Sequence, residues 1–362
     1  MYEFEILTKW YWWVFAAILV SVVSYFAVRL LIHYFKRNGS LDVPNQRSMH
    51  TSPTPTGAGL VIAFFMILAS SFLLFQQKQP IFIYTTIVLA ILAVIGWVDD
   101  KKQLSVKLRL VGFFILSLLI SFGIGRIIEL KFGNSLVWHF PYFIATALTI
   151  FYVIWLINLY NFMDGMDGLA AMQTIIAASG FLYIFLNIGL FENNFQQHRE
   201  ITIGFGILSA VVIFSTIGFL LLNWSPAKIF LGDVGSLPIG GFFAISSVFA
   251  VFTLEVSIFT CVLMIGIFFF DATYTLIARL LRGEKITQAH RTHLYQRLDS
   301  VGVQHHVIVT VYSIVMIVFV GVAITHEWQL ISGFLAGLFS VIGVILIRLW
   351  VWLLEKKQDS IQ

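Results

Sequence analysis

Eleven apolar runs, each near the length of a bilayer crossing, set the solvent in which this chain folds: roughly 11 to 35, 57 to 75, 81 to 98, 107 to 125, 142 to 160, 169 to 190, 201 to 222, 237 to 253, 256 to 281, 304 to 324 and 329 to 354. A helix rises about 1.5 Å per residue, so about 20 apolar residues match a hydrocarbon core of ~30 Å. With 59% hydrophobic and 11% charged residues and a mean hydropathy of +0.92, the sequence predicts an integral membrane protein. The expected fold is all-α, a polytopic helical bundle of about eleven transmembrane helices. No polar stretch is long enough to fold outside the membrane, so residues 1–362 are expected to form a single transmembrane domain. The first run lacks a basic leader and a small-residue cleavage pattern, and is expected to be retained as a helix. The single cysteine, Cys261, excludes an intrachain disulfide and is expected to face lipid or the core.

An odd number of spans places the termini on opposite sides, and basic residues decide which. One set of loops and helix ends holds fifteen: Lys36, Arg37, Arg47, Lys101, Lys102, Lys107, Arg109, Lys228, Arg279, Arg282, Lys285, Arg291, Arg297, Lys356 and Lys357. The other holds five: Lys9, Lys78, Arg126, Lys131 and Arg199. The first set is expected in the cytoplasm, with the N-terminus outside and the C-terminus inside. The net charge of +4 is then accounted for, and no nucleic-acid partner is expected.

The polar clusters all fall in the cytoplasmic set: 36 to 56, 99 to 106, 161 to 168, 223 to 236 and 282 to 303. Carboxylates and an amide oxygen are hard ligands that suit Mg²⁺, which takes its remaining ligands from water and substrate phosphate. Arginine, lysine and histidine can hold phosphate oxygens and stabilise charge on a transferring phosphoryl group. No Ser or Cys stands paired with a base, and no glycine fingerprint for a nucleotide follows a strand. The combination favours phosphoryl transfer over redox or acyl chemistry, with the active site in the cytoplasmic loops.

Three segments carry a family resemblance: Gly96-Trp97-Val98-Asp99-Asp100-Lys101, the run from Asn158 through Asn161, Asp164 and Asp167 to Leu169, and Phe230-Leu231-Gly232-Asp233-Val234-Gly235-Ser236. In order, spacing and placement they resemble the signature segments of the polyprenyl-phosphate N-acetylhexosamine-1-phosphate transferases, glycosyltransferase family 4. The resemblance implies an enzyme of a bacterial inner membrane. It would transfer N-acetylhexosamine-1-phosphate from a UDP-sugar to undecaprenyl or another polyprenyl phosphate, release UMP and start O-antigen or another envelope polysaccharide. By the same resemblance Asn161 and Asp233 would bind Mg²⁺, with Mn²⁺ as an alternative. Asp99 and Asp100 would handle the lipid phosphate, and Asp164 and Asp167 would shape the catalytic pocket. Lys107, Arg109, His290, Arg291 and His293, with Arg47 and His50 in the first cytoplasmic loop, would bind substrate. Direct attack by the lipid phosphate needs no extra nucleophile and is favoured over a covalent two-step route. Arg291 and Tyr295-Gln296-Arg297 depart from the closely grouped histidines of the N-acetylglucosamine and phospho-N-acetylmuramoyl-pentapeptide enzymes, and look more like the O-antigen branch.

Blander alternatives stand beside each residue. Asp99-Asp100 can mark a membrane boundary, and Asp-Gly pairs make turns. His290 and His293 lack a third His or Cys for zinc. His305 and His306 suit interfacial anchors, and the stretch from Pro53 to Gly59 suits a stiff connector. Asp271, in an apolar run, belongs either to the catalytic pocket or to the bundle's frame. Gly333 and Gly337 form a small-residue face for packing within the chain or in a homodimer. A transporter or flippase of lipid-linked saccharides is the rival class, but it should carry polar residues on both faces and at the midplane. An inactive structural partner should have lost Asp99, Asn161 or Asp233.

Overall fold

Within hydrocarbon a backbone amide finds no water, so each apolar run closes its own hydrogen bonds as a helix. The computed structural model describes residues 10–38, 41–44, 49, 52–131, 137–285 and 290–360. Its helices are α1 (Trp10–Asn38), α2 (Gly59–Gln77), α3 (Ile81–Lys102), α4 (Val106–Gly123), α5 (Tyr142–Phe162), α6 (Leu169–Phe191), α7 (Arg199–Asn223), α8 (Asp233–Leu254), α9 (Ile258–Ile265), α10 (Ile267–Leu281), α11 (Leu294–Ser300), α12 (His305–Glu327) and α13 (Gly333–Asp359). A two-residue antiparallel pair joins β1 (Leu41–Asp42) to β2 (Thr54–Pro55), and a hairpin pairs β3 (Glu129–Lys131) with β4 (Val137–His139).

Ten of the described helices are long and apolar enough to cross a bilayer. The expected span 256 to 281 is not one rod: α9 and α10 meet at 89°. The bend falls on Gly266, whose φ of 52° and ψ of −119° suit a residue without Cβ.

Helix α8 is the axis of the bundle. Every residue from Val234 to Val251 is buried, and α8 packs against α3, α5 and α2. Around it aromatic rings fill the core: Phe205 stacks on Phe249 at 4.3 Å between centroids, and Tyr160 lies 5.6 Å from Phe243. Cys261 belongs to this core, being fully buried. Phe64, Phe75, Phe122, Phe143, Phe151 and Phe334 point outward, an apolar surface suited to lipid. Gly337 also faces open space on α13, so the expected packing of that glycine within the chain is not found.

Two close approaches bring the N-terminus of α8 against its neighbours. A Cβ on Gly96 of α3 would overlap the Asp233 carbonyl, and one on Gly59 of α2 would overlap the Gly235 Cα. The stretch after β2 is no mere connector. The N–H groups of Gly57 and Ala58 donate to the Phe230 carbonyl at 3.1 and 3.0 Å, and Gly59 donates to Leu231 at 2.8 Å. These bonds hold the segment before α8 against the start of α2.

Candidate active site

The acidic residues expected in loops stand on helix ends. Asp99 and Asp100 lie in the last turn of α3, Asn161 in the last turn of α5, and Asp233 opens α8. An α-helix N-terminus has unpaired N–H groups and a positive dipole end. Asp100 serves both, accepting from the Asp233 N–H at 2.8 Å and the Val234 N–H at 3.1 Å. It is a carboxylate cap supplied by another helix.

Asp99, only 6% exposed, accepts from the Leu104 N–H at 2.6 Å and from Arg109 Nη1 at 2.7 Å. The same Nη1 lies 3.8 Å from Asp233 Oδ2. Asp233 Oδ1 accepts from Asn161 Nδ2 at 2.6 Å, and that amide also donates to Ser236 Oγ at 3.1 Å. Asp99 and Asp233 thus share one guanidinium nitrogen. Among the described residues, three carboxylates therefore share a corner with one arginine, whose buried Nε has no partner there. Lys107, two residues before Arg109, is exposed and makes no ion pair among the described residues.

Asp164 and Asp167 follow α5 but face different neighbours. Desolvation, with the Asp100 charge adding to it, pushes the Asp164 carboxyl up to about 7. An acid raised in the folded state binds protons that the unfolded chain has already released, so this group's contribution to stability declines as pH rises from about 4 to about 7. Replacing Asp164 by Asn should flatten that decline in thermal melts across this window. A wild-type melting temperature that rises through it, with Asp164→Asn unchanged, would count against a raised Asp164 carboxyl. Asp167 is tied into the frame instead. Burial acts to raise its carboxyl, but bonds from His305 and from the Ala227 N–H at 3.1 Å outweigh it and hold it below the usual range.

The histidine segment is brought to the same face. Tyr295 Oη donates to the Phe162 carbonyl at 3.2 Å, beside Asn161, and a Cβ on Gly165 would meet that oxygen at 2.5 Å. His293 stacks on Tyr295 with ring centroids 5.8 Å apart, and His290 lies 5.0 Å from His293. Burial, then the neighbouring His293 and Arg279, depress His290 to about 4, so it is neutral near pH 7. Arg291 pairs with Asp299 at 3.0 Å. Arg297 forks onto Glu355 of α13 at 2.8 and 2.5 Å, a brace between helices. Arg47 and His50 lie outside the described residues.

Two residues do more than the sequence indicated. His305 is no simple anchor: its ring is clamped between Asp167 at 3.4 Å and Asp299 at 3.2 Å. Asn223, not singled out at all, accepts from the Gly168 N–H and donates to the Ile229 carbonyl, both at 2.9 Å. It joins the loop after α5 to the segment before α8. Its only sequence signal is an amide at the end of an apolar run.

Known proteins are similar to this chain in sequence. Residues 82–251 match the model of glycosyl transferase family 4, a range that runs from α3 to α8 and includes the whole acidic corner. A probable undecaprenyl-phosphate N-acetylglucosaminyl 1-phosphate transferase of Bacillus subtilis is 30% identical over 317 residues, covering 83% of this chain and 82% of the relative. The chain belongs to glycosyl transferase family 4. Other members of the family resemble it at similar distance. The phospho-N-acetylmuramoyl-pentapeptide-transferase of Orientia tsutsugamushi is 28% identical, covering 84% of this chain and 90% of its own. The decaprenyl-phosphate N-acetylglucosaminephosphotransferase of Mycobacterium leprae is 27% identical, covering 84% and 81%. These family 4 relatives are named for different sugars, so membership identifies a phosphosugar transferase without identifying its donor.

Proposed function

We propose that this protein transfers N-acetylhexosamine-1-phosphate from a UDP-sugar to a polyprenyl phosphate, releasing UMP and leaving a lipid-diphospho-sugar in the membrane. The observation that carries the reading is the corner where α3 and α5 end and α8 begins. Asp99, Asp100, Asn161 and Asp233 meet there around Arg109, at the rim of an apolar bundle. A water-soluble donor and a lipid acceptor can both reach such a rim. The cytoplasm is the side we propose for it, with the N-terminus outside, because the basic residues crowd the same ends.

The corner fits a divalent cation. Asp99 and Asp233 converge on Arg109 Nη1 at 2.7 and 3.8 Å, and one guanidinium cannot neutralise three carboxylates. Among the described residues no three acidic, histidine or cysteine side chains form a ready cage. That suits Mg²⁺, or Mn²⁺ in its place, since Mg²⁺ usually takes one or two carboxylates and fills its shell with water and phosphate. Asp233 and Asn161 would hold it, and when bound it neutralises charge on the diphosphate.

The chain's own groups have separable tasks in this reaction. Arg109, its Nε without a partner among the described residues, binds phosphate oxygens and pairs with Asp99 beside the acceptor's phosphate. Asp100 keeps α8 in place, and thereby Asp233. The lipid phosphate oxygen attacks the sugar-linked phosphorus, the bond to UMP breaks, and UMP departs with the electron pair. His290, neutral, and His293, 5.0 Å away, are the groups assigned here to the sugar-phosphate.

Among donors we propose the 6-deoxy-N-acetylhexosamines of O-antigen initiation, on the strength of Arg291 and Tyr295 in the histidine segment. Arg297 carries no part of this, because it braces α13. Purified protein in lipid with Mg²⁺, polyprenyl phosphate and a panel of UDP-N-acetylhexosamines should release UMP with at least one donor. Folded protein that releases none across the panel would defeat the transferase reading.

A further inference from the structure

Asp271 is fully buried in α10, and a carboxylate there is costly unless its oxygens are filled. Three elements fill them. Oδ1 accepts from the Leu294 N–H of α11 at 3.0 Å and from Thr275 Oγ1 of its own helix at 3.2 Å, while Oδ2 accepts from the Tyr312 hydroxyl of α12 at 3.2 Å. The remaining neighbour is His293, whose Nδ1 lies 3.5 Å from Oδ1. That nitrogen is buried and, among the described residues, has no hydrogen-bond partner.

Two tautomers compete for this position. The Gln296 N–H, in the first turn of α11, leans toward the His293 side chain and would favour a bare Nδ1. The carboxylate favours Nδ1–H, because a lone pair facing a carboxylate oxygen in a dry interior is repelled, whereas an N–H is attracted. The charged oxygen is the stronger influence. With Nδ1 turned inward, Nε2 lies on the other edge of the ring, and stacking on Tyr295 fixes the ring plane.

We infer that Asp271 is a positioning residue: it holds His293 in the Nδ1–H tautomer and presents a bare Nε2 as acceptor for a hydroxyl or amide N–H of the hexosamine donor. This rests on the transferase reading for its ligand, but its central claim concerns the tautomer alone. The buried acid of α10 thereby belongs to the same assembly. Through Leu294 and His293 it fixes the segment whose Tyr295 reaches Phe162, next to Asn161.

The test uses full-length protein labelled with ¹⁵N-histidine in lipid nanodiscs, with His293→Gln to identify the resonances. Wild type should show Nδ1 protonated and Nε2 bare, and the opposite tautomer would overturn the inference without any Asp271 variant having to fold. Asp271→Asn should lose the single tautomer and lower kcat/KM for the donor roughly 10–100-fold. Tyr312→Phe removes another of the carboxylate's partners yet should leave the His293 tautomer unchanged, which a merely structural Asp271 would not distinguish. A folded Asp271→Asn with unaltered tautomer and turnover would also refute the inference. Should wild type transfer no sugar phosphate at all, the transferase reading fails while the tautomer measurement still decides this one.

Discussion

Asp233→Ala is expected to lower sugar-phosphate transfer by at least ~10³-fold while leaving the melting temperature unchanged or raised. The two halves of this expectation have different sources. Asp233 is 28% exposed at the corner, the most open of the acids that contact Arg109. Losing a group that helps hold a cation against a diphosphate removes about 4 kcal/mol of transition-state stabilisation, at 1.36 kcal/mol per tenfold. The backbone does not depend on that side chain. The first N–H groups of α8 are capped by Asp100, and Asp233 crowds two other carboxylates, so its removal relieves repulsion. Functional sites commonly hold such destabilising groups. Asp100→Ala should differ in kind, lowering the melting temperature as well, because the cap is lost at a cost of about 1 kcal/mol. Near-normal turnover of Asp233→Ala would remove it from the proposed cation site.

Gly96→Val should reduce transfer by on the order of 10²-fold and destabilise the fold by about 1–3 kcal/mol or more. The side chain would be driven into the backbone of Asp233, where the nearest atoms are carbonyl and amide rather than a flexible tip. The only relief is for α3 and α8 to separate, which moves Asp99 and Asp100 away from Asp233 together. Arg109 could then no longer reach both acids. Transfer assays and thermal melts on the same preparation would check this, and a variant with normal values in both would show that the two helices have room to spare.

Much of this was legible because apolar length, loop charge and three polar segments are properties of the sequence itself. Helix boundaries were less so. A hydropathy run ends at the first charge, but helical hydrogen bonding does not, so Asp99 to Lys102, Asn161 and Asp233 to Ser236 extend helices past the apolar runs. The bend at Gly266 was hidden for a related reason: composition is apolar on both sides, and one glycine is weak evidence against a helix. Contacts between distant segments leave the faintest trace. Nothing beside His305 announces Asp167 and Asp299, and nothing beside Asp271 announces Leu294 and Tyr312. Such partners are chosen by packing, which pairs residues without regard to their separation along the chain.

The central position of α8 also orders events during synthesis. Helices α3 and α5 leave the ribosome first, carrying Asp99, Asp100 and Asn161, and these residues have no Asp233 to meet. A nascent chain ending before Asp233 lacks the backbone that Gly59 and Gly96 meet in the finished fold. Entry of α8 supplies that backbone and assembles the acidic corner in one event, before α12 and α13 have been made. Arrest of translation on either side of Leu254 would separate a chain without this corner from one that possesses it.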